Sequence, residues 1–321
     1  QIVIPDDYQD AVRGLDCFSK LNGHAVTIYN DSVTDLDTLV ERFAAADTLV
    51  LIRERTAISA ALLDRLPRLR LISQTGRGIA HIDLAACTQR GILVAAGSGE
   101  PYATAELTWG LVLAGMRNIP YEVARLKEGH WQSTLGTGLR GRTLGILGYG
   151  QIGSIVAGYG RAFGMRVLVW GREGSLGRAQ ADGYEVSASQ RDLFAQADVL
   201  SVHIKLSSDT RGIITADDLA AMKPSALFVN TSRAGLVAGG ALEAALRAGR
   251  PGRAAVDVYE NEPALDHPLL RLDNAICTPH LGYVEKDSYE YYFAQAFDQV
   301  TTFAAGAPIN ILNPQALKQQ G

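Results

Sequence analysis

The segment Leu144-Gly145-Ile146-Leu147-Gly148-Tyr149-Gly150-Gln151-Ile152-Gly153 constrains what this chain can fold into more than any other. Its apolar beginning reads as a strand that runs straight into a G-x-G-x-x-G triplet. The residues behind the triplet place Ile152, Ile155, Val156, Tyr159 and Phe163 on one helical face. Strand, glycine turn and helix in that order form a parallel β-α unit. Gly148 allows the tight turn, Gly150 lets the backbone approach a pyrophosphate, and Gly153 lets helix and strand touch. The helix N-terminus adds unpaired N–H groups and the positive end of the helix dipole, so a dinucleotide is the expected ligand.

The same alternation runs through the whole chain, which makes the class α/β with doubly wound parallel sheets. In the first third, Ile2 to Ile4, Ala25 to Tyr29, Thr48 to Ile52, Leu71 to Ser73 and Ile92 to Ala95 are expected strands, and Asp35 to Ala45 and Ala57 to Leu66 are expected helices. From Tyr102 to about Glu128 the pattern stays helical, with Pro120 as a break, and reads as a linker helix between domains. After the glycine-rich stretch Gly136 to Gly141, six more strands are expected: Thr143 to Leu147, Arg166 to Trp170, Val199 to His203, Ala226 to Asn230, Ala254 to Val258 and Ala275 to Thr278. Six is the count of a full dinucleotide-binding sheet. The tail from Lys286 to Gly306 is helical, and its stripe of Tyr292, Phe293, Ala296, Phe297, Val300 and Phe303 is expected to pack back on the first domain.

Composition removes other classes. With 321 residues, 47% of them hydrophobic, the chain can build two ordinary domains or one large barrel and is not disordered. Thirty Lys and Arg against 34 Asp and Glu give a net charge of −4 without a basic block, so neither nucleic acid nor an anionic membrane is an expected partner. The longest apolar run, Trp109 to Met116, is too short to span a bilayer, and no positively charged segment precedes Ile2-Val3-Ile4. Cys17, Cys87 and Cys277 are odd in number and lack CxxC spacing; they read as reduced thiols of a cytoplasmic protein, and no metal site is expected.

Ligands of an open α/β sheet bind beyond the carboxyl ends of its strands, and the polar residues of the second half collect there. The first strand is followed by the glycine loop, the second by Gly171-Arg172-Glu173, and the third by His203. Asn230-Thr231-Ser232-Arg233 comes after the fourth, the fifth ends in Asp257 and leads to Glu262, and the sixth ends in Thr278-Pro279-His280. One rim thus gathers an Arg, two carboxylates and two histidines.

These runs resemble the D-isomer-specific 2-hydroxyacid dehydrogenases, which include glyoxylate/hydroxypyruvate reductases and phosphoglycerate dehydrogenases. The likeness rests on the glycine loop, on His203-Ile204-Lys205-Leu206 with Thr210, on Asn230 to Gly235, on Val256 to Pro263, and on Thr278-Pro279-His280, and it extends over essentially the whole chain. It implies a Rossmann-like cofactor domain, residues 99–287, inserted in a discontinuous flavodoxin-like substrate domain, residues 1–98 and 288–321. It also implies a homodimer. By the same resemblance Arg233, Glu262 and His280 are the catalytic residues. Gly148, Gly150, Gln151, Ile152, Gly153, Gly171, Arg172, His203, Lys205, Thr210, Thr231, Asp257 and Gly282 line the dinucleotide, with Asp257 on the nicotinamide carboxamide. Arg53, Gly76, Arg77 and Gly78 face the substrate carboxylate.

The implied chemistry suits these residue types. Hydride transfer to a carbonyl carbon must be matched by a proton at its oxygen, and a histidine with an unperturbed pKa of about 6.5 is the natural donor. A carboxylate beside it favours the imidazolium and fixes the ring tautomer, while the planar fork of an arginine holds a carboxylate and polarises a carbonyl. The implied substrate is a small 2-keto or 2-hydroxy acid such as glyoxylate or hydroxypyruvate. Phosphoglycerate is the alternative, since Arg53 and Arg55 could serve a phosphate. Against it stands the expectation that the residues after His280 are too few for the regulatory C-terminal domain many of those enzymes carry, although short forms exist. A nucleotide-sensing binding protein is a third reading, disfavoured by the complete Arg, Glu and His set. Two departures bear on the cofactor: Gly171 and Arg172 stand where NAD-preferring relatives place an acid, and Lys205 replaces a proline, so NADP(H) is favoured over NAD(H).

Overall fold

The computed structural model describes residues 1–319. The chain divides into two compact units, residues 1–100 with 285–321, and residues 101–284.

In the first unit β1 (Ile2–Ile4), β2 (Val26–Ile28), β3 (Thr48–Leu51), β4 (Leu71–Gln74) and β5 (Leu93–Ala96) form a parallel sheet in the order β2-β1-β3-β4-β5. Strand order 2-1-3-4-5 is that of flavodoxin-like sheets. Its apolar cluster includes Val3, Phe43, Leu49, Leu51, Ile58, Leu62, Ile72 and Val94. The helix expected over Ala57 to Leu66 is confined to Ala60–Leu63, started by Ser59, whose hydroxyl accepts the Leu62 N–H. A helix at Leu84–Gln89, capped by the Asp83 carboxylate on the Ala86 N–H, had no expectation attached to it. The long helix Lys286–Ala304 belongs to this unit, burying Tyr289, Tyr292, Phe293, Ala296, Phe297 and Val300.

The second unit holds β6 (Thr143–Leu147), β7 (Arg166–Trp170), β8 (Glu185–Val186), β9 (Val199–Val202), β10 (Leu227–Asn230), β11 (Arg253–Val256) and β12 (Ala275–Cys277). They pair in parallel in the order β12-β11-β10-β9-β6-β7-β8. The sheet has one strand more than the expected six, because β8 is two residues long and leaves almost no periodic signal. Alternate residues feed opposite faces: Val229 lies with Leu144, Ile146 and Val169 in one apolar cluster, and Phe228 with Leu147, Leu168 and Val202 in the other.

The helical stretch after Tyr102 departs from a linker. It is two helices, Tyr102–Met116 and Ile119–Lys127, both within the second unit. The first is apolar over most of its surface, with Glu106 exposed, and Trp109, Val112 and Met116 join the cluster of Leu144 and Val156. Chain direction changes at Asn118, in the left-handed region at φ 56°, and not at Pro120. Pro120 lies in the first turn of the second helix, where its missing N–H costs nothing.

Register decides where the site can be. Leu147 pairs with Trp170 and Val202, Val202 with Asn230, Asn230 with Val256, and Val256 with Cys277. Six strands therefore end in one row, and the loops that follow them leave from a single edge.

Candidate active site

The glycine loop opens this edge. Gly148 sits at φ +100°, a region open to glycine, and a Cβ there would lie 2.7 Å from the His203 carbonyl oxygen. A Cβ at Gly153 would collide with the Gly148 carbonyl oxygen, whereas nothing lies within 4 Å of one at Gly150. The helix Gln151–Ala162 starts from Gly150 with no side-chain cap and no acidic residue in its first turn, where Gln151, Ile152 and Gly153 stand. Uncapped N–H groups behind a loop with open space at Gly150 fit the pyrophosphate of a dinucleotide.

Sequence reasoning missed how the loop is fastened. Tyr149 donates its hydroxyl to Asp182 Oδ2 at 2.6 Å, and Arg178 Nη2 donates to the Tyr149 carbonyl at 2.9 Å. Beside the loop, a Cβ at Gly171 would be 3.5 Å from Gly148 Cα, and exposed Arg172 precedes the helix Glu173–Ala181 without capping it.

His203 follows β9 with its Nε2 at 2.8 Å from Ser201 Oγ, and burial pushes its imidazole down to about 3, so the ring is neutral at physiological pH. Exposed Lys205 gives its carbonyl to the Thr210 hydroxyl at 2.7 Å; Thr210 also accepts the Ser207 N–H at 2.8 Å, and so folds this turn. Thr231 is buried against Thr108, with hydroxyls 2.7 Å apart.

At the far end of the row, His280 Nδ1 lies 2.6 Å from Glu262 Oε2, both side chains partly exposed. The His280 ring also meets Tyr283 edge-on, with centroids 5.4 Å apart. Burial works to raise the Glu262 carboxyl, but the His280 bond and charge, the Tyr259 N–H on Oε1 at 3.0 Å and the charge of Arg233 outweigh it and hold the group below its ordinary range. Arg233 thus reaches Glu262 through its charge. Its own loop is set by Asn230, whose Nδ2 donates to the Arg233 carbonyl at 3.1 Å, and by Ser232, whose hydroxyl donates to the Ile204 carbonyl at 2.7 Å. Arg233, Glu262 and His280 are brought together.

Asp257, fully buried, accepts the Thr278 hydroxyl at 2.6 Å and the Leu281 N–H at 2.7 Å on Oδ1, and the Gly282 N–H at 2.9 Å on Oδ2. Burial pushes this carboxyl up while those three donors pull it back. Gly282 in turn accepts the Thr104 hydroxyl at 2.7 Å. Asp257 and Gly282, expected beside the dinucleotide, are thus tied to each other within the chain.

In the first unit Arg53 leaves β3 at φ +55°. Its N–H is on Thr75 Oγ1 at 2.9 Å and its guanidinium lies 5.2 Å from the Tyr292 ring centroid. Cβ atoms at Gly76 and Gly78 would collide with the Arg53 guanidinium and the Glu54 carboxylate. Arg77 between them is exposed. Arg55 is turned inward, donating to the Asp6 carbonyl at 2.6 Å and the Tyr289 hydroxyl at 3.3 Å, with its guanidinium 4.3 Å from the Tyr8 ring centroid.

A seven-stranded sheet that reads 3-2-1-4-5-6-7 from β8, with a glycine loop after its first strand, defines a dinucleotide-binding α/β protein. The family model described as "D-isomer specific 2-hydroxyacid dehydrogenase, NAD binding domain" matches residues 109–282, and the chain belongs to that family. It is 37% identical over 298 residues to a glyoxylate reductase of Aeropyrum pernix, covering 88% of this chain and 87% of that one. It is 39% identical over 249 residues to a D-3-phosphoglycerate dehydrogenase of Methanocaldococcus jannaschii, covering 77% of this chain but only 47% of the relative. A crystal structure of a protein from Ralstonia solanacearum named as a D-3-phosphoglycerate dehydrogenase oxidoreductase superposes with a TM-score of 0.97 at 55% identity, covering 98% and 97% of the two chains. The cofactor of this family is a nicotinamide dinucleotide. Among the described residues no helix is long and apolar enough to cross a membrane.

Proposed function

We propose that this chain is an NAD(P)-dependent D-2-hydroxyacid dehydrogenase that reduces a small 2-keto acid of the glyoxylate or hydroxypyruvate kind. The 2.6 Å contact between His280 and Glu262, on the sheet edge that carries the glycine loop, is the observation behind this reading. A bound nicotinamide supplies the hydride. The carboxylate holds Nδ1 of His280, which leaves the other ring nitrogen to carry a proton for the substrate oxygen, and Arg233 supplies a planar cation for carboxylate and developing alkoxide. Arg53, Gly76, Arg77 and Gly78 are the candidates of the first unit for the substrate carboxylate. D-3-phosphoglycerate is the second reading, favoured by the name of the Methanocaldococcus relative. The inward bonds of Arg55 argue against a phosphate there. Turnover of a panel of 2-keto acids, set against oxidation of D-3-phosphoglycerate and followed by nicotinamide absorbance, separates the two.

NADPH is the proposed cofactor, because Gly171 removes the acid that would repel a 2′-phosphate and Arg172 offers a cation beside it. A charge-assisted bond of about 1.5–3 kcal/mol corresponds to roughly a tenfold to hundredfold preference. Arg172→Ala should lower kcat/KM for NADPH by that factor and spare NADH. Equal loss with both cofactors, or a wild-type preference for NADH through neighbouring Glu173, would overturn this assignment.

We assign the protein to the cytoplasm, where its thiols stay reduced. Cys17, Cys87 and Cys277 are free, and burial pushes the thiols of Cys17 and Cys87 up to about 12, far from thiolate chemistry. A homodimer is proposed through the exposed apolar residues Ile119, Tyr121, Val123, Leu126, Trp131 and Leu135, the last two 77% and 96% exposed. Leu126→Asp should convert the dimer to a monomer in light scattering; an unchanged mass would remove this face from the interface.

A further inference from the structure

Tyr259 is bonded to one half of the acid–base pair and to the turn that carries the other. Its N–H donates to Glu262 Oε1 at 3.0 Å, and its hydroxyl donates to the Thr278 carbonyl at 2.9 Å. The same carbonyl accepts the His280 N–H at 3.0 Å, so it is the acceptor on which the histidine turn closes. One residue therefore fastens the loop that holds the carboxylate to the turn that holds the imidazole.

That turn needs fastening. His280 has φ +52°, a left-handed conformation that a non-glycine residue keeps only where its surroundings over-determine it. Asp257 holds the turn from one side, through Thr278 Oγ1 and the N–H groups of Leu281 and Gly282. The Tyr259 hydroxyl holds it from the other. Burial pushes that phenol far above its ordinary range, so it remains a donor at every pH at which the protein is assayed.

The tyrosine ring is itself braced. His267 meets it edge-on with centroids 5.1 Å apart; His267 Nδ1 accepts the Leu269 N–H at 3.3 Å and Nε2 faces Glu260 Oε2 at 3.0 Å. An accepting Nδ1 puts the ring proton on Nε2, toward the carboxylate, and locks the ring plane against Tyr259.

We propose that Tyr259 is a positioning residue for the hydride-transfer reaction, its hydroxyl keeping His280 Nδ1 on Glu262 Oε2. The proposal rests on the reading of Glu262 and His280 as the acid–base pair and extends it to a residue outside the pair. The charged and titratable groups around the turn are Glu262 from the 259–263 loop, Asp257 after β11, Arg233 after β10, Tyr283 on the ring edge of His280, and Cys277 beside the Tyr259 hydroxyl.

The test is Tyr259→Phe, which keeps the ring, its contact with His267 and the N–H, and deletes one oxygen. Loss of one such hydrogen bond should lower kcat for keto-acid reduction by about three- to tenfold and leave KM for the dinucleotide unchanged. The pH profile of kcat should change in the same sense as in Glu262→Gln, and the double variant should change no further than Glu262→Gln alone. A loss of thermal stability with an unmoved pH profile would make Tyr259 merely structural and overturn the proposal. The imidazole proton resonances of the cofactor-free protein, with His280 assigned from His280→Ala, give a readout that needs no turnover. The His280 signal should respond alike to Tyr259→Phe and Glu262→Gln, and an unmoved signal in Tyr259→Phe counts against the tie. If His280→Ala keeps wild-type turnover, the acid–base reading falls, and this spectrum still decides whether Tyr259 sets the contact.

Discussion

His280→Ala should lower turnover by about 10²- to 10⁴-fold, the range that a positioned general acid contributes, while dinucleotide binding persists. The two functions separate because the residues next to the glycine loop belong to the β6–β9 side of the sheet and His280 follows β12 at its far end. Glu262→Gln should keep more activity and change its pH dependence. The carboxylate is held below its ordinary range despite burial, because His280, the Tyr259 N–H and Arg233 favour the ionised form. An acid depressed in this way contributes above its unfolded pKa and loses that contribution as pH falls through the folded one, so the pair should persist to pH values below the usual glutamate range. Gln removes the carboxylate charge that faces His280 Nδ1. The pH profile of reduction should then change, while dinucleotide affinity stays as in wild type. An unchanged profile in the Gln variant would separate Glu262 from the acid–base step. Fluorescence titration with the dinucleotide checks the binding half.

What could be read from the sequence follows from where each signal resides. The strands β6 and β7 are marked by apolar, partly β-branched runs bounded by turn residues, and the structure places both at their expected limits. The two-residue β8 is too short to show a period. Pro120 drew the expected helix break two residues too late: proline is tolerated in a first helical turn, so it marked the start of the second helix instead of the end of the first. The helix Tyr102–Met116 read as a linker because the pattern stays helical for long with no strand inside it, yet its many apolar residues bury it within one unit. At the site, a parallel sheet sends every loop after a strand to one edge, so Arg233, Glu262 and His280 could be gathered by topology alone. Tyr259 and Arg178 could not. Each acts on a main-chain carbonyl, Thr278 or Tyr149, and a carbonyl carries no sequence signature of the partner it will accept. Asp257 shows the converse. Its place after β11 was legible, but the three donors that converge on it come from a turn whose path is set by the fold.

Asp257→Ala should accordingly lower the stability of the second unit by on the order of 4 kcal/mol, because it orphans one hydroxyl and two N–H groups that a buried site cannot hand to bulk water. For a unit of this size the loss corresponds to a fall in Tm of roughly 10 °C. Only an acceptor meets the chemistry of the position, since all three partners donate. Asp257→Asn keeps one carbonyl oxygen but turns an NH2 toward a donor, so its Tm should fall between wild type and Ala. Turnover should fall with it, because Thr278, Leu281 and Gly282 bracket His280, and a left-handed residue relaxes once the bonds on either side are lost. A thermal scan of the three proteins decides. Should Asp257→Ala melt within about 2 °C of wild type, with Asn no different, the carboxylate does not hold this turn, and its burial must be explained by a ligand instead.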